Sequence, residues 1–471
     1  MRKANLHKSI PLISTLYLVI VYLLGVFSES AWSDDYAAFN DPSSVALHAE
    51  KDGRVLYGIL IDWFFSNVEE VGHLKYIRLI GLSGILLINY LVIVQLLKYS
   101  KSKTIPLASS IAFTLPSFQL STHWAIAFCI SWSAFLSVLG FYTYRNASKF
   151  HKVLGVALCM LSLLLYPLMT FFVFSVLFAE VLIKGWSFES SMKSLKEGLF
   201  FVTMGGFVSA VVALINLSWR RLEPNDRVEL VALEEIPEKL QWFATRPLAL
   251  SFRPFDISSP GILEMMLTFV IVFCLISLMS TKVYGNLEST FKFLLSLLCF
   301  TTLSLLPLLI ASQNQIDIRF IGSSSWIVLF SIIFLFVRTS KILLEKNQQK
   351  IISIFLVFII CLYGFVSINY RFATVIKPIY SNSNLFILNE LKLCSDNQIA
   401  NGILVVKRTK PWPSRQLLGF FSQTTDLASE WVPIGSVKLV LIKNSKDFNE
   451  IEFTSSEYRN KSLCYVQLDK F

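Results

Sequence analysis

Charged residues are scarce in this sequence. Asp, Glu, Lys and Arg make up 16% of its 471 residues, whereas soluble globular proteins average about 25%. Hydrophobic residues reach 54% and the mean hydropathy is +0.60. This balance excludes an ordinary soluble protein and predicts an all-α polytopic membrane protein. The net charge of +10 would suggest nucleic-acid binding in a soluble protein, but here its distribution points to membrane topology.

Common cofactor and catalytic motifs are also missing. The sequence holds no CxxC, HExxH, P-loop or GxGxxG pattern, so structural zinc and nucleotide binding have no sequence support. Its five histidines, at positions 7, 48, 73, 123 and 151, form no cluster of ligands. No cofactor follows from the sequence, and a requirement for a divalent cation such as Mg²⁺ or Mn²⁺ stays open.

Long apolar runs dominate what is present. Eleven are predicted to be membrane spans, although several are shorter than the roughly 20 residues that cross a bilayer. They are Ile10–Phe27, Ile77–Leu97, Ile105–Phe118, Trp124–Phe141, Val153–Tyr166, Met169–Ile183, Leu199–Leu217, Met265–Met279, Phe293–Ala311, Ile321–Val337 and Ile351–Ile368. The first run is longer than a usual signal sequence and ten spans follow it, so we expect it to remain as an anchor.

The charges between these runs predict the orientation. The loops 1–9, 98–104, 144–152, 184–197, 281–292 and 338–350 are rich in Lys and Arg, which is typical of the cytoplasmic side. Loop 28–75 reverses the balance, with nine acidic and three basic residues. We therefore expect a cytoplasmic N-terminus and, after an odd number of spans, a C-terminus on the outer side of the membrane.

Three long segments are then expected on the outer face. Residues 1–368 form the membrane domain, which includes outer loops 28–76 and 218–264. The apolar stretch Val55–Phe65 in the first loop is too short to cross, and we expect an interfacial helix there. Residues 369–471 differ in composition and predict a small α/β domain. Its strands are expected at Gly402–Lys407, Val437–Ile442 and Leu463–Leu468, and a helix at Ser383–Leu393.

The seven cysteines divide into two groups. Cys129, Cys159, Cys274, Cys299 and Cys361 lie in predicted spans and are expected to be apolar packing residues. Cys394 and Cys464 bracket the outer domain, and an oxidising periplasm favours a disulfide between them. Two free buried thiols are the alternative.

Two adjacent carboxylates, Asp34 and Asp35, follow the first span. An acidic group at the membrane surface is a candidate general base, because it is costly to desolvate there. The alternative is a solvated acidic loop.

These residues together resemble a known family. A first span, an outer loop opening with Asp-Asp, a juxtamembrane helix and many further spans are similar to the GT-C class of membrane glycosyltransferases. Within that class, Asp34-Asp35-Tyr36 followed by Asp52-Gly53-Arg54 resembles the Gtr-type O-antigen (serotype-converting) glucosyltransferases. The resemblance covers the first 100 residues best and the later spans only in topology.

The resemblance implies a reaction. Such enzymes move a sugar, here expected to be glucose, from a polyprenyl-phosphate donor to a lipid-linked O-antigen or surface polysaccharide, with inversion at C1. Their partners would be a polyprenyl-phosphate glucosyltransferase and a flippase. Asp35, or else Asp34, would be the base. Donor-phosphate binding is expected of Arg54, Arg319 and His123, and substrate contacts of Tyr36, Asp52 and Tyr166. Asp52 is also expected to orient Arg54, and Asp317 to orient Arg319. Arg220 and Arg221 are expected to anchor the chain to lipid headgroups.

Other functions remain open at this point. A lipid-linked sugar flippase would favour charged residues deep within spans, and the most clearly defined spans lack acidic residues at mid-depth. An O-antigen polymerase would have its large outer loops in mid-chain. A receptor or assembly module would use the outer domain without catalysis.

Overall fold

The computed structural model describes residues 2–28, 34–100, 104–146, 148–225, 229–253, 262–314, 318–371, 389, 391–394, 403–406, 451–454 and 464–467. The side chains of residues 2–8, Asp34, Tyr36 and Asn40, of several residues of the last long helix, and of the strands lie outside this description.

Helices account for most of the described residues and are numbered in chain order. The first twelve are α1 (Arg2–Val26), α2 (Asp34–Asn40), α3 (Pro42–Lys51), α4 (Val55–Phe65), α5 (Leu74–Tyr99), α6 (Thr104–Ser109), α7 (Pro116–His123), α8 (Cys129–Tyr144), α9 (Lys149–Leu165), α10 (Pro167–Thr170), α11 (Phe172–Gly185) and α12 (Phe188–Arg220). The others are α13 (Ile236–Phe243), α14 (Ala249–Ser251), α15 (Ile262–Tyr284), α16 (Leu287–Ser304), α17 (Leu306–Ile310), α18 (Gly322–Leu343) and α19 (Lys346–Arg371). Short 3₁₀ turns lie at Val71–His73, Ser110–Thr114, Ala125–Ala127, Leu233–Glu235 and Ile318–Ile321, and a π-helical turn at Ala244–Leu248.

Eight helical segments in the described part of the chain are long and apolar enough to cross a membrane. They are Ser9–Val26, Val71–Tyr99, Ala125–Tyr144, Pro167–Gly185, Phe188–Arg220, Ile262–Tyr284, Leu287–Ser304 and Arg319–Leu343. Each overlaps one of the eleven predicted spans, so the prediction of a polytopic helical membrane protein is confirmed. Of the other three predictions, Val153–Tyr166 falls on the 17-residue α9 and Ile351–Ile368 on α19. The total of eleven spans stays a prediction.

The predicted span Ile105–Phe118 is not a single helix. After α6 the chain tightens into the 3₁₀ turn Ser110–Thr114, and α7 begins at Pro116. Leu115, which joins them, is extended, with φ −60° and ψ 147°. Proline disfavours helical geometry in the residue before it and lacks the N–H that would continue the preceding helix. The break places α7 where its polar residues are buried at one end of the bundle.

Close packing joins α8 to α9 through two glycines. A Cβ atom on Gly155 would lie 2.6 Å from the carbonyl oxygen of Gly140, and one on Gly140 would lie 2.8 Å from that of Gly155. Small residues at such crossings let helix backbones approach within a membrane, where dispersion contacts replace the hydrophobic effect as the driving force. The two helices thus form one hairpin.

A partly buried ion network lies beside the loop that connects α8 and α9. Arg145 donates two hydrogen bonds of 2.9 Å to Glu197 and one of 2.8 Å to Glu180. Lys184 donates to Glu180 at 3.1 Å, and the Tyr142 hydroxyl donates to it as well. Glu180 is 2% exposed and lies in the predicted span Met169–Ile183, so an acidic residue is buried near the end of a span. Because Arg145 and Lys184 compensate its charge, Glu180 can be buried where α8, α11 and α12 pack together.

A helix is present, with the predicted bounds, where an interfacial helix is expected. It is α4, and it packs against α3, where a Cβ on Gly58 would lie 2.7 Å from the carbonyl oxygen of Ala46. Ile59 and Trp63 remain exposed on its other side. An apolar helix with an exposed tryptophan suits a membrane surface.

Three short strands form a parallel sheet, β1 (Ile403–Val406), β2 (Ile451–Thr454) and β3 (Cys464–Gln467). Their order is β2-β1-β3, and Ile403 pairs with both Ile451 and Cys464. The predictions at 402–407 and 463–468 are confirmed by β1 and β3. Strand β2 was missed, because Glu452 interrupts its apolar pattern. The predicted strand Val437–Ile442 and most of the predicted helix Ser383–Leu393 lie outside the described residues, and the complete α/β domain stays a prediction.

Candidate active site

Asp35, in the segment that follows the first span, contacts the 3₁₀ turn that leads into α8. Its side chain is fully buried, and its carboxylate accepts hydrogen bonds from the backbone N–H of Ile126 at 2.8 Å and of Ala125 at 3.4 Å. These amides open the 3₁₀ turn that leads into α8. A carboxylate at a helix start accepts amide N–H groups that lack intrahelical partners and interacts favourably with the helix dipole. Asp35 therefore positions residues 34–40 on the bundle.

The segment that carries the two aspartates is helical, since α2 begins at Asp34. Adjacent side chains on an α-helix are separated by about 100° around its axis. One aspartate can therefore be buried on the bundle while its neighbour is directed elsewhere. The side chains of Asp34 and Tyr36 lie outside the described residues.

Arg54 stands at the start of α4 and is paired with Asp52, as the sequence predicted. Asp52 also accepts a hydrogen bond of 2.7 Å from the side-chain amide of Asn225. The Arg54 guanidinium lies 5.2 Å from the centre of the Tyr57 ring and is about one-fifth exposed. The pairing with Asp52 and the stacking on Tyr57 orient the guanidinium without covering all of its donors.

The backbone of one residue, Ile126, joins Asp35 to Tyr57, on whose ring Arg54 stacks. The Tyr57 hydroxyl donates to the carbonyl of Ile126 at 2.9 Å, and the N–H of the same residue donates to Asp35. Thus Arg54, Tyr57 and Asp35 meet around Ile126, which lies 91 residues from Asp35 and 69 from Tyr57 in the chain.

Arg319 approaches the same segment from the second half of the chain. Its guanidinium lies 4.4 Å from the centre of the Trp124 ring, immediately before the amides that bind Asp35. Trp124 is buried, so the stacked cation stands over an apolar surface. The expected partner of Arg319, Asp317, lies outside the described residues.

His123 is buried beside this tryptophan. Its Nδ1 lies 2.8 Å from the carbonyl oxygen of Gln119 and 3.2 Å from the Thr122 hydroxyl. Burial lowers the pKa of His123 to about 4; the hydrogen bond with Gln119 opposes this shift and nearby Arg78 adds to it. The imidazole is therefore neutral at neutral pH, so its contribution to binding is hydrogen bonding and not charge.

Arg78 is the functional candidate that the sequence analysis missed. It lies in the first turns of α5, is fully buried, and donates to the carbonyl of Ser28 at 2.6 Å and to its hydroxyl at 3.3 Å. The sequence did contain a signal for this residue. Arg78 is the second residue of the predicted span Ile77–Leu97, and an arginine is costly inside a membrane. Its positive charge also contributes to the lowered pKa of His123.

Two other predicted residues are engaged elsewhere. Arg220 pairs with the buried Glu50 of α3 and is not simply a headgroup anchor. Tyr166 lies at the junction of α9 and α10, where its carbonyl accepts a hydrogen bond of 2.8 Å from Ser133. The structure therefore brings Asp35, Arg54, Arg319 and His123 around residues 123–126, and Asp52 joins them through Arg54.

Comparisons with known proteins assign no family to this chain. No protein-family model matches it, and no curated protein matches it. Within the described residues, no group of three or more His, Cys, Asp or Glu side chains could hold a metal ion.

Proposed function

We propose that this protein is an inverting GT-C-type glycosyltransferase that transfers a sugar, with glucose as the expected one, from a polyprenyl phosphate to a lipid-linked glycan. The acceptor class is an O-antigen or other surface polysaccharide, and transfer takes place on the outer face of the bacterial inner membrane. The proposal includes eleven spans, a cytoplasmic N-terminus, a periplasmic α/β domain at 369–471, and a disulfide between Cys394 and Cys464. A polyprenyl-phosphate glucosyltransferase and a flippase would supply the donor.

One observation carries the proposal. Asp35 of the Asp-Asp pair and two separate arginines, Arg54 and Arg319, lie around residues 123–126 of an apolar helical bundle. Sugar transfer from a lipid phosphate needs a carboxylate to accept a proton and cations to stabilise the departing phosphate. A lipid-linked donor also carries its own anchor, which is consistent with a chain that has no nucleotide-binding motif.

The geometry favours different roles for the two aspartates. Asp35 is buried and accepts two backbone N–H groups, so it suits the role of a positioning residue. Its neighbour Asp34 is then the better candidate for the base. In the proposed step, the Asp34 carboxylate takes the proton of the acceptor hydroxyl as that oxygen attacks C1, and the C1–O bond to phosphate breaks with its electron pair on the leaving phosphate.

The flippase alternative receives limited support from the buried Glu180. Acidic residues within spans are typical of transport pathways, but Glu180 is held by Arg145 and Lys184. A polymerase remains the other alternative, and both predict that purified protein will not transfer single sugars from a polyprenyl-phosphate donor.

Purified protein in proteoliposomes, supplied with polyprenyl-phosphate glucose and a lipid-linked glycan, tests the proposal. We expect Asp34→Asn to lower the transfer rate by about 10²–10⁴-fold with little change in thermal stability. Asp35→Asn should lower the thermal stability as well, because an amide replaces the charged cap; caps of this kind contribute about 1 kcal/mol. Glu70→Gln, which changes an exposed carboxylate of the same loop, is the matched control. Transfer at wild-type rates by both Asp variants would remove the main support for a transferase.

A further inference from the structure

The short helix α13 carries large apolar side chains that face away from the protein. Leu240 is 51% exposed, and Ile236 is exposed as well. These two residues are four positions apart, so they lie roughly 40° from each other around the helix axis. Leu233 lies in the 3₁₀ turn that leads into α13 and is 85% exposed. Because it precedes Ile236 by three residues, it is on the same side. An apolar stripe therefore runs along one side of residues 233–240.

The other sides of α13 are polar or are held by the protein. Glu238 is exposed and lies two residues before Leu240, so it is directed to roughly the opposite side of the helix. Lys239 is 2% exposed, and its ammonium donates to the carbonyl of Gln313 at 2.8 Å and to the side-chain oxygen of Asn314 at 3.0 Å. The helix thus has one side on the protein, one apolar side and one acidic side.

The chain before α13 is attached close to the end of a span. The backbone N–H of Val231 donates to the carbonyl of Ile310 at 3.0 Å, and Leu230 forms an antiparallel β-bridge with Ala311. Ile310 ends α17, which follows the span Leu287–Ser304 after one residue. The segment that leads into α13 therefore starts near the surface of the bilayer.

The chain after α13 returns to the bundle. The hydroxyl of Ser251, in α14, lies 2.6 Å from the hydroxyl of Ser324, a fully buried residue of the span Arg319–Leu343. Phe252 packs edge-to-face on Phe269 of α15, with ring centres 4.7 Å apart. Since α13 is only about 12 Å long and both flanking segments contact spans, the helix stays close to the bilayer.

We propose that α13 lies along the surface of the bilayer, with Leu233, Ile236 and Leu240 inserted among the lipids. Insertion removes their apolar surface from water and leaves Glu238 in solvent, as expected of an amphipathic helix at an interface. The stripe contacts lipid because both attachments of the segment lie near the ends of spans, where a bilayer surrounds the bundle. This inference is independent of the transferase proposal. It adds a membrane contact to loop 218–264, for which the sequence predicted only a place outside the membrane.

Site-specific photocrosslinking of the full-length protein tests this placement. The photoreactive amino acid p-benzoylphenylalanine is placed at Leu233, Leu240 or Glu238 in separate variants, in nanodiscs of phosphatidylethanolamine and phosphatidylglycerol. Mass spectrometry of the intact protein then identifies each adduct by its mass. Position 238 is the matched control on the opposite side of the helix, and Ile271, exposed in the span Ile262–Tyr284, is the positive control.

We expect phospholipid adducts at positions 233 and 240 to exceed those at 238 by about tenfold, the preference for lipid over water that burial of a large apolar side chain provides. Equal yields of phospholipid adduct at the three positions would overturn the proposal. Adducts at 233 and 240 with another segment of this chain, or with a second copy, would overturn it as well, because protein would then cover the stripe.

Hydroxyl-radical labelling of the wild-type protein in the same nanodiscs requires no substitution. Leu233 and Leu240 should be oxidised as slowly as Ile271, because lipid excludes water from all three. Leu393, which is 78% exposed and lies outside the spans, is the matched control and should be oxidised readily. Oxidation of Leu233 and Leu240 at the rate of Leu393 would show that the stripe lies in water, and the proposal would be wrong.

Discussion

At the scale of single residues, Ile126 shows how side chains far apart in the chain come to act together. Its N–H donates to Asp35 and its carbonyl accepts from Tyr57, so the backbone of one residue holds both the segment of Asp35 and the helix that begins after Arg54. The arginine is oriented by Asp52 and the Tyr57 ring. A planar guanidinium held in this way is suited to contact two phosphate oxygens at once.

Replacing Arg54 tests this role. We expect Arg54→Ala to weaken donor use strongly and Arg54→Lys to restore little of it, because an ammonium is a point charge and does not reproduce the fork of donors. Transfer rates measured over a range of donor concentrations check this. Full activity of the lysine variant would show that Arg54 supplies only general positive charge.

The buried His123 makes a second residue-scale prediction, on pH. Its pKa is about 4 in the folded protein, against an ordinary value of 6.5. As the pH falls below 6.5, the unfolded chain gains a proton at this site that the native protein does not, so the free energy of unfolding decreases until about pH 4. The loss should approach roughly 3 kcal/mol.

Thermal unfolding in detergent between pH 7 and pH 4 measures this loss. His123→Gln should lose less stability over the interval than the wild type, whereas His73→Gln, at a partly exposed histidine, should follow the wild type. Parallel curves for all three proteins would contradict the assignment.

At the scale of elements, the α8–α9 hairpin depends on close backbone approach. A Cβ on Gly155 would meet the backbone oxygen of Gly140 at 2.6 Å and the backbone nitrogen of Tyr144 at 2.7 Å. Backbone atoms cannot rotate away as the end of a side chain can. Because the 3₁₀ turn that binds Asp35 leads into α8, a shift of this hairpin would also move the candidate site.

We therefore expect Gly155→Ala to destabilise the protein by about 1–3 kcal/mol, the usual cost of overpacking. Gly206→Ala is the control, since a Cβ there has open space and alanine favours a helix by up to about 1 kcal/mol. Melting temperatures of both variants in the same detergent provide the comparison. A Gly155 variant as stable as the wild type would show that the two helices can separate without cost.

At the scale of the whole molecule, charge is divided between the two ends of the bundle. The buried network of Arg145, Glu180 and Glu197 joins loops predicted to be cytoplasmic, whereas the acidic segment with Asp35 lies in a loop predicted to be outer. The positive-inside rule relates such a division to orientation in the membrane.

The orientation can be measured with reporters fused to the C-terminus. We expect a reporter active only in the periplasm to work there and one active only in the cytoplasm to fail. The proposed Cys394–Cys464 disulfide also requires that these residues lie in the periplasm. It would close a loop of about 70 residues and contribute on the order of 4 kcal/mol to stability. A working cytoplasmic reporter would imply an even number of crossings and remove the expectation of that disulfide.

The sequence by itself determined the local features of this protein. Eight apolar runs, the helix Val55–Phe65, and the strands at 403–406 and 464–467 follow from hydropathy and composition over short windows, since a bilayer selects apolar helices whatever surrounds them. The break at Leu115 was equally local, because Pro116 causes it, yet the apolar run concealed it.

Only the tertiary structure decided which of these residues meet. The contact of Asp35 with the 3₁₀ turn before α8, the stacking of Arg319 on Trp124 and the burial of Arg78 depend on packing between segments far apart in the chain. The hydropathy of a residue describes its preference for lipid or water. It contains no information about which distant residues will pack against it. The candidate aspartates and arginines could therefore be named from the sequence, whereas the burial of Asp35 and its bond to the Ile126 amide required the folded chain.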